Sequence, residues 1–362
     1  MNFRSDNILG CPPAILEALA RVNDTPTHPY GHDPITARLN PLVSDIFEHE
    51  AFVFPVSTGT AANGLSLAAV TPPWGVVFAH PLSHIVREEW CAPEFFTGGA
   101  RLLGVEGPDA RMAAGALDER VQSTTRAGKP ATVSLSQATE AGTVYSLDQL
   151  RALAGVARRH ALAVHMDGAR FANALAALGC SPADMSWRLG VDALAFGATK
   201  NGTLTAEAVV VFGEDLADEV ANRRKRAGQV SSKMRFLSAQ LEAYFRDDLW
   251  LTNARAANAS ARRLAEGLEA GGIELAAPVE ANMVFPHLDV GTRDALRARG
   301  FEFLDWPGLG ADVARFVCGF ATTSVQVDAL VAACRTRWAA RPRLTSPPPP
   351  TPSTRRPGPI GS

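Results

Sequence analysis

LAVHMDGARFANALAALGCSPADMSWRLGVDALAFGATKNG, residues 162–202, sets two short apolar runs on either side of a helical stretch. The runs are LAVHMD (162–167) and DALAFG (192–197). A strand, a helix and a second strand in that order describe a parallel pair joined by a crossover helix. Working outward, the alternation continues. AFVF (51–54), VVFA (76–79), ARLLGV (100–105), ATVSLS (131–136) and AEAVVVF (206–212) read as strands. Helical segments lie between them; in SLDQLRALAGVARRH, Leu147, Leu150, Leu153 and Val156 fall at helical spacing. The pattern predicts an α/β fold around a mostly parallel sheet. Ligands bind such sheets beyond the carboxyl ends of the strands, so the residues just past those ends are the ones to examine.

The chain has 362 residues, enough for about two domains. Its 46% hydrophobic and 20% charged residues suit a globular protein with a sizeable core. A formal net charge of -2 argues against a nucleic-acid surface or a polybasic membrane patch. No apolar run reaches the roughly 18 residues that span a bilayer. The opening MNFRSDNILG lacks a basic region followed by an apolar one, so no secretory signal is expected. Five scattered cysteines (Cys11, Cys91, Cys180, Cys318, Cys334) read as reduced, mostly buried thiols of a cytoplasmic protein. No CxxC and no HExxH occurs, and no metal site is expected. Of 35 basic residues only Lys129, Lys200, Lys225 and Lys233 are lysines. Chemistry that needs an amine nucleophile therefore has four candidates.

Two breaks divide the chain. Near FRDDLW (245–250) the alternation gives way to one long helical segment, 252–268, which predicts a large domain over 1–248 and a smaller one over 249–340. Residues 341–362 are rich in Pro, Ser and Thr without periodicity and read as a disordered tail.

Three motifs sit past strand ends. STGTAAN (57–63) follows AFVFP and opens a helix, where backbone N–H groups and the helix N-terminus favour an anion. It reads either as a phosphate site or as an ordinary N-cap made by Ser57 or Thr58. No GK[ST] follows it and no GxGxxG occurs, which disfavours nucleotide binding. Asp167, in VHMDGAR (164–170), ends its strand; it reads either as a carboxylate serving a positive partner or a metal, or as a cap paired with Arg170. Lys200, in FGATKNG (196–202), follows an apolar strand among small residues; it reads either as a desolvated amine nucleophile or as a loop lysine reaching solvent. Asp at one strand end, Lys at another and a phosphate turn upstream match what pyridoxal phosphate (PLP) requires.

With these residues in view, the sequence resembles the low-specificity L-threonine aldolases. These belong to the aromatic amino acid β-eliminating lyase group of fold-type-I PLP enzymes. The resemblance covers about residues 3–338 and rests on RSDN (4–7), YGHDP (30–34), STGTAAN (57–63), APEFFTGG (92–99), SQATEAGTVY (136–145), HMDGARFANA (165–174), FGATKNG (196–202) and SKMRFLSAQ (232–240). It implies an aspartate aminotransferase-like fold, with a large mixed, mostly parallel sheet and a small C-terminal α+β domain. It implies PLP as cofactor, with Lys200 as the Schiff-base lysine and Asp167 as partner of the pyridine nitrogen. Gly59 and Thr60 would form the phosphate turn, with Thr199 adding a hydroxyl. His84 would stack on the ring and handle the substrate hydroxyl proton. Ser5, Arg170 and Arg315 would hold the substrate carboxylate, a task suited to the planar fork of arginine. Tyr30 would line the substrate site. RRKRAG (223–228) reads either as a solvated helix face or, by the resemblance, as a segment that reaches a cofactor phosphate across a subunit interface, with Lys225, Arg226 and Lys233 as candidates. His32 stands where the family often has an acidic residue, and reads either as a determinant of β-substituent preference or as a surface histidine.

The implied activity is cleavage of L-β-hydroxy-α-amino acids (threonine, allo-threonine, phenylserine) to glycine and an aldehyde by a homodimer or homotetramer with sites at the interface. The same cofactor also serves β-elimination, dehydration and transamination. From another class, a cofactor-free scaffold that binds a partner is disfavoured by the joint presence of Lys200, Asp167, His84 and Arg315.

Overall fold

The computed structural model describes residues 1–24, 26–124 and 128–339; the Pro-rich segment at 341–362 lies outside them. Seven strands form the main sheet: β1 (Phe52–Val56), β2 (Gly75–Ala79), β3 (Arg101–Gly104), β4 (Lys129–Ser136), β5 (Ala163–Gly168), β6 (Ala193–Phe196) and β7 (Glu207–Val211). Their order is β1-β7-β6-β5-β4-β2-β3. Strands β3, β2, β4, β5 and β6 pair in parallel, and β7 runs antiparallel between β6 and β1. All seven strands expected from the sequence are present, in a mixed, mostly parallel sheet. Helices cover both faces, so β2, β6 and β7 are buried along their whole length. Because every strand but β7 points the same way, the chain leaves β1, β2, β5 and β6 along one edge, which gathers the three motifs.

The helix Leu147–Arg159 begins with a reciprocal capping box. Gln149 N donates to Ser146 Oγ at 3.2 Å, and Ser146 N donates to Gln149 Oε1 at 2.9 Å. Ser146→Ala is expected to cost about 1 kcal/mol of stability, read as a lowered denaturant midpoint at unchanged slope.

A second sheet, β8 (Met283–Val284), β9 (Leu304–Asp305) and β10 (Ala314–Val317), has the order β8-β10-β9 and is antiparallel. It carries its own core around Val284, Phe303, Phe316 and Leu330. The first residues of the chain join this core. Phe3 N donates to Glu302 O, Val317 N donates to Phe3 O, and the Phe3 ring meets Phe316 edge-on at 6.3 Å. An apolar side chain directly before the polar RSDN segment gains most by burial here.

The helix Leu249–Glu269 has 21 residues and contributes to both cores: Trp250 and Ala254 to the first, Leu264 and Leu268 to the second. Asn258 on this helix exchanges hydrogen bonds with Asn173, at 3.0 and 2.9 Å. Of the five cysteines, all free, only Cys318 and Cys334 are buried; Cys11 and Cys180 are partly covered and Cys91 is exposed. The expectation of mostly buried thiols is thus corrected, because Cys91 precedes a short helix on the outer surface. No helix among the described residues is long and apolar enough to cross a membrane.

Candidate active site

The loops after β5 and β6 touch because both are built of small residues. A Cβ on Gly197 would fall 2.5 Å from Ala169 Cα, so only glycine lets the two strand ends come together. Lys200 sits in the turn Thr199–Asn201, which is fixed from below. Asn201 Nδ2 donates to Tyr244 Oη at 2.6 Å and to Trp250 O at 2.8 Å, while Asn253 Nδ2 donates to Asn201 O at 2.8 Å. Gly202 (φ +138°) ends the turn, and a Cβ there would meet Asn253 Nδ2 at 2.7 Å. The turn is rigid, yet the Lys200 amine has no hydrogen bond or ion pair with any described residue.

Beside it, Asp167 is buried at the end of β5. Its Oδ1 accepts from Ala169 N at 3.0 Å and its Oδ2 from Asn63 Nδ2 at 3.1 Å. The alternative in which Asp167 pairs with Arg170 is not observed. Arg170 turns its fork to Asp6, with Nε–Oδ2 at 2.9 Å and Nη2–Oδ1 at 3.0 Å. Asp6 also accepts from Asn282 Nδ2 at 3.1 Å. Burial alone would raise the Asp6 carboxyl, but the charges of Arg170 and Lys200 and the bonds from Arg170 and Asn282 hold it below its ordinary 3.8.

The helix Gly59–Val70 opens at the end of β1. Thr58 caps it, its Oγ1 accepting from Ala61 N at 3.1 Å and its carbonyl from Ala62 N. The amides of Gly59 and Thr60 find no described acceptor, and a Cβ at Gly59 would meet open space. Two free N–H groups at a helix N-terminus suit an anion. Thr58 is thus a cap, and the amides of the next two residues remain available. Thr199 lies in the Lys200 turn, its hydroxyl 3.5 Å from Thr203 Oγ1.

His84 opens a short helix downstream of β2. Its Nδ1 lies 2.8 Å from Glu89 Oε1, which also accepts from Asn63 Nδ2 at 2.8 Å. His84, Glu89 and Asp167 offer atoms within 4.8 Å of one another, and hydrogen bonds through Asn63 account for that closeness. Burial lowers the His84 imidazole, but Glu89, Asp167 and Glu140 outweigh it and raise its pKa above 6.5. Burial, with the charge of Asp167, raises Glu89 above 4.5 despite its bonds to His84 and Asn63. Both directions favour a proton shared by the pair.

Ser5, Arg170 and Arg315 are brought together by the N-terminal segment. Ser5 caps the turn Asp6–Ile8, and Arg315 Nη2 donates to Arg4 O at 3.3 Å. The Arg315 guanidinium lies 4.3 Å from the Trp306 ring centroid, and its buried Nε has no partner. Burial and the nearby Arg170 charge lower the Arg315 pKa, the environment of a cation that an anionic ligand would relieve.

Tyr30 is not part of this group within one chain. It is half exposed in a left-handed conformation, its amide donates to Ser232 O, and Lys225 Nζ sits 5.1 Å from its ring. His32 is exposed in the same loop. Lys225 and Arg226 end the helix Glu214–Arg226, and Lys233 is exposed after it.

Several residues of the site went unnoticed in the sequence. Asn63 lies in STGTAAN and Asp6 in RSDN, but neither motif pointed to a role for them, and Glu89 lies in none of the quoted motifs. Glu207, buried at the start of β7, accepts from Ala198 N at 2.9 Å beside the Lys200 turn, and burial raises its pKa. An acidic residue inside an otherwise apolar strand, AEAVVVF, was the available signal for Glu207.

A family model described as beta-eliminating lyase matches residues 2–290. Low specificity L-threonine aldolase from Pseudomonas aeruginosa is 42% identical over 331 residues, spanning 91% of this chain and 95% of its own. The structure of threonine aldolase from Leishmania major matches with a TM-score of 0.87 at 28% identity, over 93% of this chain and 99% of its own. A structure of SPT with PLP matches with a TM-score of 0.67 at 16% identity, over 94% and 87% of the two chains; that likeness concerns the fold alone. The fold is that of the fold-type-I PLP enzymes, as the sequence led one to expect.

Proposed function

The chain belongs to the beta-eliminating lyase family, and on that premise we propose that it is a PLP-dependent aldolase cleaving L-β-hydroxy-α-amino acids to glycine and an aldehyde. The observation that carries this reading is the meeting of Asp167, the unpaired Lys200 amine and the free Gly59 and Thr60 amides at one sheet edge, with His84 alongside. These residues suit PLP chemically: an amine for its aldehyde, a carboxylate for its ring nitrogen, and two N–H groups with the Thr199 hydroxyl for its phosphate. When bound, PLP supplies the electron sink for the bond that breaks at Cα.

The chain's own residues supply orientation and proton handling. Arg315, over the Trp306 ring, takes the substrate carboxylate with Ser5, and Arg170 adds charge nearby. Fixing the carboxylate places the Cα–Cβ bond for cleavage. Asp167 keeps a proton on the ring nitrogen. His84, engaged through Nδ1, has Nε2 left to accept the β-hydroxyl proton.

We also propose a homodimer or homotetramer in which Tyr30 and one of Lys225, Arg226 and Lys233 serve a neighbouring copy's site. The support is that Tyr30 and its cation neighbour face outward, and that Trp90 and Phe95 are 96% and 81% exposed, large for a solvent-facing surface.

Incubation with L-threonine tests the reaction. Glycine with acetaldehyde is the expected product pair; 2-oxobutanoate would replace this reading with dehydration. Comparing threonine, allo-threonine and phenylserine for glycine release then assigns the substrate preference.

A further inference from the structure

The hydrogen bonds around His84 form a chain that ends on the carboxylate assigned to the cofactor. Asn63 stands on the helix Gly59–Val70 and is buried. It has one amide nitrogen and gives both of its hydrogens to carboxylates, at 2.8 Å to Glu89 Oε1 and 3.1 Å to Asp167 Oδ2. Two carboxylate acceptors leave no doubt which end of the amide faces them. The Glu89 side chain has no exposed surface, and Oε1 also meets His84 Nδ1 at 2.8 Å. A buried glutamate is costly unless it has a task that rewards its retention. Hydrophobic packing would have filled this place at less cost, and no arginine or lysine pairs with Glu89 among the described residues.

We propose that Glu89 and Asn63 are positioning residues that tie the His84 imidazole to Asp167, fixing the His84 proton on Nδ1 and presenting a bare Nε2 to the substrate. Glu89 accepts the Nδ1 proton, so the remaining ring nitrogen carries the lone pair. Asn63 holds Glu89 from the far side and holds Asp167 in the same grip. A shift of either carboxylate is then transmitted to the other, and the base and the ring-nitrogen partner keep a constant separation. The use of Nε2 as a base rests on the aldolase reading; the tautomer and the tether do not.

The titratable and charged groups that act on His84 are Glu89, Asp167, Glu140 and Lys200. Replacing Glu89 by glutamine removes one neighbouring negative charge and keeps the shape. His84 protonation should then move to lower pH by about one unit. The full-length protein labelled with ¹⁵N in its histidine rings gives this directly, with the His84 signals identified by their loss in His84→Asn. In the wild type the expected neutral form has its proton on Nδ1. Glu89→Gln should lower the His84 midpoint and move the acid limb of the threonine-cleavage profile with it. Both Glu89→Gln and Asn63→Ala should lower kcat about tenfold or more with KM within about threefold. A wild-type His84 protonated on Nε2 would overturn the proposal without any variant having to fold. So would a Glu89→Gln protein whose His84 midpoint and acid limb stay in place. A wild type with the Nδ1 proton but no cleavage of threonine would sink the aldolase reading and leave the tether standing.

Discussion

Lys200→Ala is expected to abolish the visible absorbance of bound PLP and to reduce threonine cleavage at least about a thousandfold. The reason is accessibility of an amine in a fixed place. Lys129, Lys225 and Lys233 are all exposed, and only Lys200 stands in the partly buried turn beside Asp167. The Asn201 anchors to Tyr244, Trp250 and Asn253 hold that turn without using the lysine side chain. Loss of the Nζ should therefore leave the fold within about 1 kcal/mol of the wild type, since no described partner is orphaned. Lys200→Arg is the informative companion: it keeps a cation near Asp6 and Glu207 but offers no amine that can join the cofactor covalently. Both variants should be colourless after dialysis and inactive. A Lys200→Ala protein that keeps its colour and its rate would show that the cofactor is joined to another lysine.

Asp6→Ala should be the most damaging single change to stability outside the apolar cores. It removes both hydrogen bonds to the buried Arg170 guanidinium and one to Asn282, leaving a buried cation without its partner. Breaking such a pair from one side costs about 3–5 kcal/mol. Asn282 Nδ2 also donates to Cys318 O at 2.8 Å, so the loss extends into the small sheet. The expected result is a lower denaturant midpoint together with a raised KM, because Arg170 and the Ser5 turn relax around the substrate carboxylate site. Asp6→Asn, which keeps the shape, should lose less. The acid dependence has a definite sign. A carboxyl held below 3.8 contributes stability that is complete at pH well above 3.8 and disappears only as pH falls through its lower folded value. The wild-type minus Asp6→Asn difference should thus be flat at neutral pH and shrink only in strong acid. A midpoint for Asp6→Ala within about 1 kcal/mol of wild type would mean that Arg170 finds another anion.

The sheet was legible because its signal is local. Each strand is a short apolar run and each connection a helical pattern, so all seven main strands appear where those runs lie. Asp167 and Lys200 were legible for a related reason: position past a strand end is a property of neighbouring residues, and parallel order carries both to one edge. The N-terminal segment was not. Nothing in MNFRSD states that Phe3 belongs to the small core or that Asp6 faces Arg170, 164 positions away. Tyr30 shows the opposite limit. Its motif led to the expectation of a substrate-lining residue, yet within one chain its contacts are Lys225 and Ser232.

The sequence by itself determined the α/β architecture and the sheet edge to which Asp167, Lys200 and the STGTAAN turn are carried. Periodicity of 2 and 3.6 residues and the direction of parallel strands are enough for that. Only the tertiary structure decided which charges are paired and which are left free. Arg170 is engaged by Asp6, while Arg315 and Lys200 remain available. Glu89, one of two adjacent glutamates in REEW, is the one that is buried under His84. Desolvation and pairing depend on what surrounds a group from distant parts of the chain, and no local pattern encodes that.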